Sequence, residues 1–525
     1  MLASLLFLLA SSSLGATLSL QPRGVPANAT GVKTIKSPSG ATVRYKEPGI
    51  CETMPGVKSY AGYVSLNATT NMFFWFFEAR HNPHEAPFSI WLNGGPGSDS
   101  LLGLFQENGP CHITENITAQ WNPYSWNEVS NMIYLSQPIG VGFSYATEEE
   151  APPDGRYGFA DSHSYDTSDL AAVGTWEIVQ AFLGALPHLD PTVTSKKFSL
   201  WTESYGGHYG PAFYKYFEDH NAAIANGTES GTKLNMDSLG IGNGIIDAAI
   251  QSPYYAEFAV NNTYGIKAVN DTVYTFMLQV YYMPGGCKDW LADCAAADRS
   301  TFHGQTICSS ASNICRSLIR NIYIALSGRG TYDIRHPHND PTPPDYYEDY
   351  LNLAEIQAAL GVNLNYSDSG GSNVANGFED SGDFAYPYFK SDLEAILNSG
   401  VRVAMYHGDA DYTCNWFGGE AVSLALNYSH AAEFKAAGYT PLMVNGVEYG
   451  EVRQAGNFSF TRVYESGHEV PYYQPIAALA VFNRTLSGLA VSDGMTKVEA
   501  GYGTNGTAKA THTEPSVGLP SATAK

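Results

Sequence analysis

Positive charge is scarce in this chain. Lys and Arg number 28 against 51 Asp and Glu, a formal net charge of −23 over 525 residues. Such a surface repels nucleic acid and anionic membranes, so neither is expected as a partner. Long apolar runs are scarce too. Beyond the N-terminal residues no stretch approaches a membrane span, and no hydrophobic segment near the C-terminus signals a GPI anchor. Cysteine is sparse, with seven in all. What is plentiful is apolar and aromatic. A content of 44% hydrophobic and 13% aromatic residues argues for a packed core rather than a disordered chain. The length suits one large domain with insertions, or two domains.

The opening "MLASLLFLLASSSLGA" reads as a secretory signal peptide over residues 1–16, although its first residues lack Lys and Arg. N-x-S/T acceptors occur at Asn28, Asn67, Asn116, Asn226, Asn261, Asn270, Asn365, Asn427, Asn457, Asn483 and Asn505. Together they favour a chain that passes through the endoplasmic reticulum. The expected destination is outside the cell, with a vacuole as the alternative. In that setting six of the cysteines suit disulfides. The mirror-like spacing of Cys287, Cys294, Cys308 and Cys315 suits a nested pairing, Cys287–Cys315 around Cys294–Cys308. Cys51–Cys111 would be a third bridge, which leaves Cys414 over. Sequence alone does not fix this connectivity.

Residues 17–41 read as a mobile arm or pro-segment. From "YAGYVSL" onward, short apolar runs end in Gly, Asn or Asp: "FSIWLNGG", "NMIYLSQP", "KFSLWTES", "SLGIGNG" and "VRVAMYHGD". Buried parallel strands read this way when functional loops leave their C-terminal ends. Helical stretches between them, such as "SYDTSDLAAVGTWEIVQAFL", indicate an α/β sheet with helices on both faces. The core is expected over 42–246 and 391–492. Residues 247–390, rich in Cys, Pro and Tyr, read as an inserted cap. Residues 493–525 read as a disordered tail. His336 and His338 lack a ligand quartet and read as an ordinary loop, so no metal is expected.

"FSLWTESYGG" runs from a strand through a tight turn into a helix, the context of a nucleophile elbow. The usual G-x-S-x-G has Thr202 at its first glycine and Gly206 at its second. By itself Ser204 is either a turn serine or a nucleophile. A nucleophilic serine needs a base, and the base an orienting acid. "VRVAMYHGDADYTCNW" offers Asp409 and Asp411 after a strand, and "FTRVYESGHEVPYYQP" offers His468 after another. The order Ser, Asp, His is that of an α/β-hydrolase.

These stretches, with "WLNGGPGS", "NPYSWN", "QPIGVGFSY" and "GIGNGIID", resemble the serine carboxypeptidases, and the secreted fungal branch most. The resemblance spans about Tyr60 to Leu489. It implies an α/β-hydrolase fold with an inserted cap, and hydrolysis of peptide and protein C-termini at acid pH through an acyl-enzyme, without a cofactor. An acyltransferase on the same machinery is the alternative. By resemblance Ser204 is the nucleophile, His468 the base and Asp411 its orienter. Backbone N–H groups of Gly95 and Tyr205 form the oxyanion hole. Asn93, Gly94, Glu107 and Glu203 hold the substrate carboxylate, and Cys414 is a free thiol lining the site. A carboxyl can donate to a carboxylate only when protonated, so binding should be best at acid pH. Two departures stand out. Ser98 replaces a commonly disulfide-bonded cysteine, and Asp99 is expected to add negative charge near the cleft, favouring basic side chains.

Overall fold

A computed structural model describes residues 30–67, 69–146, 165–368, 373–516 and 518. The signal segment and Asn28 lie outside them. Among the described residues fifteen strands form: β1 (Lys33–Lys36), β2 (Thr42–Lys46), β3 (Ser59–Ser65), β4 (Thr70–Phe77), β5 (Phe88–Leu92), β6 (Cys111–Ile113), β7 (Ala119–Trp121), β8 (Asn131–Leu135), β9 (Tyr145–Ala146), β10 (Lys197–Glu203), β11 (Asn235–Gly242), β12 (Arg402–Gly408), β13 (Thr440–Val444), β14 (Val447–Ala455) and β15 (Phe458–Val463). All but β6 and β7 join one sheet in the order β1-β2-β3-β4-β8-β5-β10-β11-β12-β15-β14-β13, with β9 paired to β4. The six strands from β8 to β15 run parallel, and antiparallel strands flank them.

The period of two decides which face each residue serves. In β5, Ile90 and Leu92 pack on one face with Leu200, Leu239 and Met405, beneath the helices Ser168–Leu189, Gly206–Ala225 and Tyr388–Asn398. Trp91 faces the other way, with Trp201, Tyr406 and the helix Pro475–Ser487. There Trp126 stacks on Phe482 at 4.1 Å and meets Trp91 and Trp201 edge-on. Both faces are thus covered, which is why these strands are apolar throughout. This is an α/β-hydrolase sheet.

Between β11 and β12 the chain leaves the sheet for a helical insertion. Disulfides Cys287–Cys315 and Cys294–Cys308 join its helices Cys287–Ala296 and Phe302–Cys315, and Cys51–Cys111 lies near the N-terminal strands.

Four expectations are corrected. The 17–41 segment is not wholly an arm, because Lys33–Lys36 pairs antiparallel with Thr42–Lys46 as the sheet edge. The tail is not disordered up to residue 516. Thr507 pairs with Tyr439, Arg453 donates to the Ala508 carbonyl, and the Glu514 N–H donates to Thr263 O. Its polar composition hid this, since it is held by backbone groups rather than by an apolar face. The helix Ser168–Leu189 is long and apolar enough to cross a membrane by length and composition. It packs mostly inside the protein, as a core helix does. Finally, Asn365 is only 5% exposed and offers no surface acceptor, whereas the other nine described sequon asparagines are exposed.

Candidate active site

Five neighbouring parallel strands deliver the site residues from one edge of the sheet. β5 ends at Asn93-Gly94-Gly95, β10 at Ser204, β11 at Asn243, β12 before Asp409 and Asp411, and β15 before His468. Side chains from distant parts of the chain meet because parallel strands share one C-terminal edge.

Ser204 sits at φ 63°, a left-handed conformation that a serine adopts only when its surroundings enforce it. Its N–H donates to Gly242 O at 3.0 Å. Its carbonyl accepts from Gly207 at 3.0 Å and Ile245 at 2.9 Å. The helix Gly206–Ala225 begins directly after it. Thr202 holds the place of the missing glycine without strain. Its hydroxyl donates to Gly206 O at 2.9 Å, so the side chain closes the turn. Gly206 is obligatory, because a Cβ there would lie 2.5 Å from Thr202 Cβ.

His468 Nδ1 lies 2.6 Å from Asp411 Oδ2. Asp411 also accepts from Asn243 Nδ2 at 2.7 Å and from the Cys414 N–H at 3.2 Å. Asp409 is occupied elsewhere. It accepts from the Tyr264 hydroxyl at 2.6 Å and lies 3.7 Å from Arg462. Of the two aspartates of "GDAD", Asp411 is the one that meets His468. The buried Cys414 thiol lies beside Ser204. The Asp411, Cys414 and His468 ligand atoms lie within 4.8 Å of one another. Burial, and then Asp411, push the thiol well above its usual value, so it is a neutral wall rather than a thiolate. From the insertion, the Tyr332 ring lies 4.8 Å from that of His468, and the Tyr332 carbonyl accepts the His468 N–H at 2.9 Å.

The "NGGPG" loop lies against the nucleophile turn. A Cβ on Gly94 would fall 2.3 Å from Tyr205 N, so only glycine permits the approach. This brings Gly95 beside the Tyr205 N–H at the start of the helix. The Tyr205 ring is fixed from behind. Its hydroxyl donates to Asp383 at 2.8 Å, and Asp383 also binds Arg299 at 2.9 Å.

Asn93, Glu107 and Glu203 form one buried cluster. Asn93 Oδ1 accepts from Trp91 Nε1 at 2.8 Å and from the Gly103 N–H at 3.0 Å. That fixes the amide orientation, and Nδ2 then reaches Glu107 at 2.9 Å and Glu203 at 3.3 Å. Burial, then the Glu107 carboxylate, hold Glu203 well above the ordinary carboxylate range. Burial also raises Glu107. The Asn93 amide bridges the two acids. Glu469 joins them. It too is held well above the usual range, by burial first and Glu107 second, and its Oε2 is buried without a hydrogen-bond partner.

The serine carboxypeptidase family profile matches residues 48–488. The chain belongs to the serine carboxypeptidase family. It is 41% identical to "Carboxypeptidase S1 homolog A" of Arthroderma otae, over 93% of this chain and 83% of that relative. It is 40% identical to "Carboxypeptidase S1" of Penicillium janthinellum, over 85% of this chain and 99% of that one. Among solved structures, a prohormone-processing carboxypeptidase from Saccharomyces cerevisiae superposes with TM-score 0.67. At 20% identity, covering 82% of this chain and 91% of that one, this likeness speaks for the fold. As a serine carboxypeptidase, the protein is an exopeptidase of the hydrolase class acting on peptide C-termini.

Sequence reasoning gave no role to Asn243, Glu469, Asp383 or Arg299. Asn243 lay in view within "GIGNG" and Glu469 within "SGHEV", each next to a strand end. Asp383 and Arg299 carry no local signal, because only the folded insertion brings them to Tyr205. Asp99 corrects an expectation. It is 0% exposed, enclosed beside Ser136 and Tyr366, with its N–H donating to Asp368 at 3.0 Å. It projects no charge into the cleft and gives no reason to favour basic side chains.

Proposed function

We propose that Ser204, His468 and Asp411 carry the carboxypeptidase reaction, and that the Asn93–Glu107–Glu203 cluster makes it specific for a free C-terminus at acid pH. His468 takes the Ser204 proton as Oγ bonds to the scissile carbonyl carbon. The Gly95 and Tyr205 N–H groups receive the developing oxyanion. The C–N bond breaks, His468 protonates the leaving amine, and the C-terminal amino acid departs. Water, deprotonated by His468, then hydrolyses the acyl-Ser204. Cys414 lines the site without reacting. Three disulfides and nine exposed sequons support a secreted enzyme.

One observation carries the acid-pH reading: two buried carboxyls, both raised and both bonded to the one Asn93 amide, beside Ser204. A neutral Glu203 donates to the substrate carboxylate, whereas an ionised one repels it. KM should therefore rise with pH as Glu203 ionises.

The test compares a blocked dipeptide, with its C-terminus free or amidated, at pH 4.5 and pH 7. Preferential cleavage of the free acid at pH 4.5, absent in Ser204→Ala, supports the reading. In Glu203→Gln the amide stays neutral, so KM should lose most of its pH dependence. Equal cleavage of acid and amide would remove the carboxylate site. Transfer to an added alcohol in place of hydrolysis would favour the acyltransferase.

A further inference from the structure

A cavity opens beside Ser204 and Gly95 on the insertion side, and Arg316 and Arg320 line it together with Tyr255 and Tyr332. Asn93, Glu107 and Glu203 do not. The cavity and the carboxylate cluster both adjoin the nucleophile but are lined by different residues. A substrate whose C-terminal carboxylate sits in the cluster places the residue on the acyl side of its scissile bond at the cavity.

The two arginines form an unusual pair. They stand four residues apart on the single π turn Arg316–Arg320 that continues the helix Phe302–Cys315. At that spacing like charges are neighbours and repel. Neither is closely paired with a carboxylate. Among the described residues no carboxylate lies within 4.0 Å of Arg320. The groups facing it are Tyr255, Tyr332, Tyr412 and Cys414, besides Arg316. Arg320 Nε is buried without a hydrogen-bond partner, and so is Arg316 Nη1. The nearest carboxylate to Arg316 is Glu379, at 3.8 Å and half-exposed. The Arg316 guanidinium lies over the Phe384 ring at 4.0 Å. Arg80 and Arg462, elsewhere in the protein, meet carboxylates closely, Glu52 at 2.8 Å and Glu451 at 3.0 Å. Unpaired buried donors are costly, and an acceptor supplied by a ligand would complete them. The disulfide at Cys315, one residue before Arg316, ties the arginine turn to the helix Cys287–Ala296.

We propose that this cavity receives the side chain on the acyl side of the scissile bond, and that Arg316 and Arg320 make it select a carboxylate, aspartate or glutamate. The planar guanidinium groups match a carboxylate in charge and geometry. The division of labour follows. Protonated acids hold the terminal carboxylate, and fixed cations hold the side-chain carboxylate. This inference rests on Ser204 being the nucleophile, as proposed above.

The test measures kcat/KM for blocked dipeptides ending in phenylalanine, with Glu, Gln or Lys as the preceding residue, at pH 5.5. Glu should exceed both Gln and Lys by about tenfold or more. In Arg316→Gln and Arg320→Gln the Glu-to-Gln ratio should fall towards one, largely through KM. Lowering the pH to 3.5 protonates the substrate side chain, whose ordinary pKa is about 4.3. The ratio should then fall in the native enzyme and stay flat in the variants. Glu cleaved no faster than Gln by the native enzyme, or a ratio unmoved by both substitutions, would overturn the proposal. Should the variants fail to fold, the pH dependence of the native ratio decides alone. Failure of the nucleophile assignment looks different, because Ser204→Ala would then still cleave the Gln substrate.

Discussion

Asn243 shows how much chemistry one unremarked side chain can hold. It sits at φ 41°, donates to Asp411 and accepts the Gly408 N–H at 3.1 Å. It thus ties the end of β11 to the loop after β12 and fixes the carboxylate that orients His468. Asn243→Ala should lower kcat about tenfold, with little change in KM, in steady-state assays on a blocked dipeptide. A change in KM alone would place Asn243 in substrate binding instead. The same residue marks where sequence reading stops. Ser204 and His468 were legible because each follows an apolar run and precedes a turn, a pattern with a chemical meaning. An asparagine ending a strand reads equally well as a turn residue. Its role depends on a partner 168 positions away, and local pattern holds no record of that distance. Glu203 entered the candidate site through the family resemblance, whereas Glu469, adjoining His468, was given no role.

At the scale of elements, Asp99, buried in the segment after the "NGGPG" loop, pairs with Asp368 of the insertion. Asp99 is pushed up to about 7, by burial above all, and Asp368 to about 8, by burial and then by Asp99. Both folded values lie above the unfolded value near 3.8. Between those limits the folded chain binds more protons than the unfolded one. Stability is therefore highest at acid pH and declines as pH rises from about 4 through 8. Thermal unfolding followed between pH 4.5 and 8 should show Tm falling. Asp99→Asn should flatten part of that fall, raising Tm at pH 8 while leaving it nearly unchanged at pH 4.5. A slope identical to that of the native protein would show that Asp99 is not the group responsible. The segment itself was recognisable as a loop after β5. The burial of its aspartate was not, since Ser-Asp-Ser is ordinary surface composition and only contact with Tyr366 and Asp368 makes it interior.

For the whole molecule, the parallel strands and the inserted cap could be read from alternating apolar runs and the cysteine cluster. The C-terminal segment could not. Its Gly, Thr and Pro content predicts disorder, yet it supplies acceptors that buried cations need. The His512 carbonyl accepts from Arg462 Nη2 at 2.7 Å, and the His512 ring stacks on Tyr464 at 3.7 Å. A chain ending at Val498 would leave Arg453 and Arg462 short of these partners. Its Tm should drop by several degrees, since charge-assisted bonds to buried groups contribute more than neutral ones. An unchanged Tm in calorimetry would return the segment to the status of a tail.

The placement of the site at the ends of β5, β10, β11, β12 and β15 also bears on when the enzyme comes alive. Between Asn93 and His468 lies most of the chain, and β15 must settle between β12 and β14 before His468 can meet Asp411. Parallel pairings of this kind need long crossovers and form late. A ribosome-bound chain whose His468 is still unmade has a serine but no base. On the proposed roles of Ser204 and His468, synthesis itself keeps this protease silent until His468 has been made.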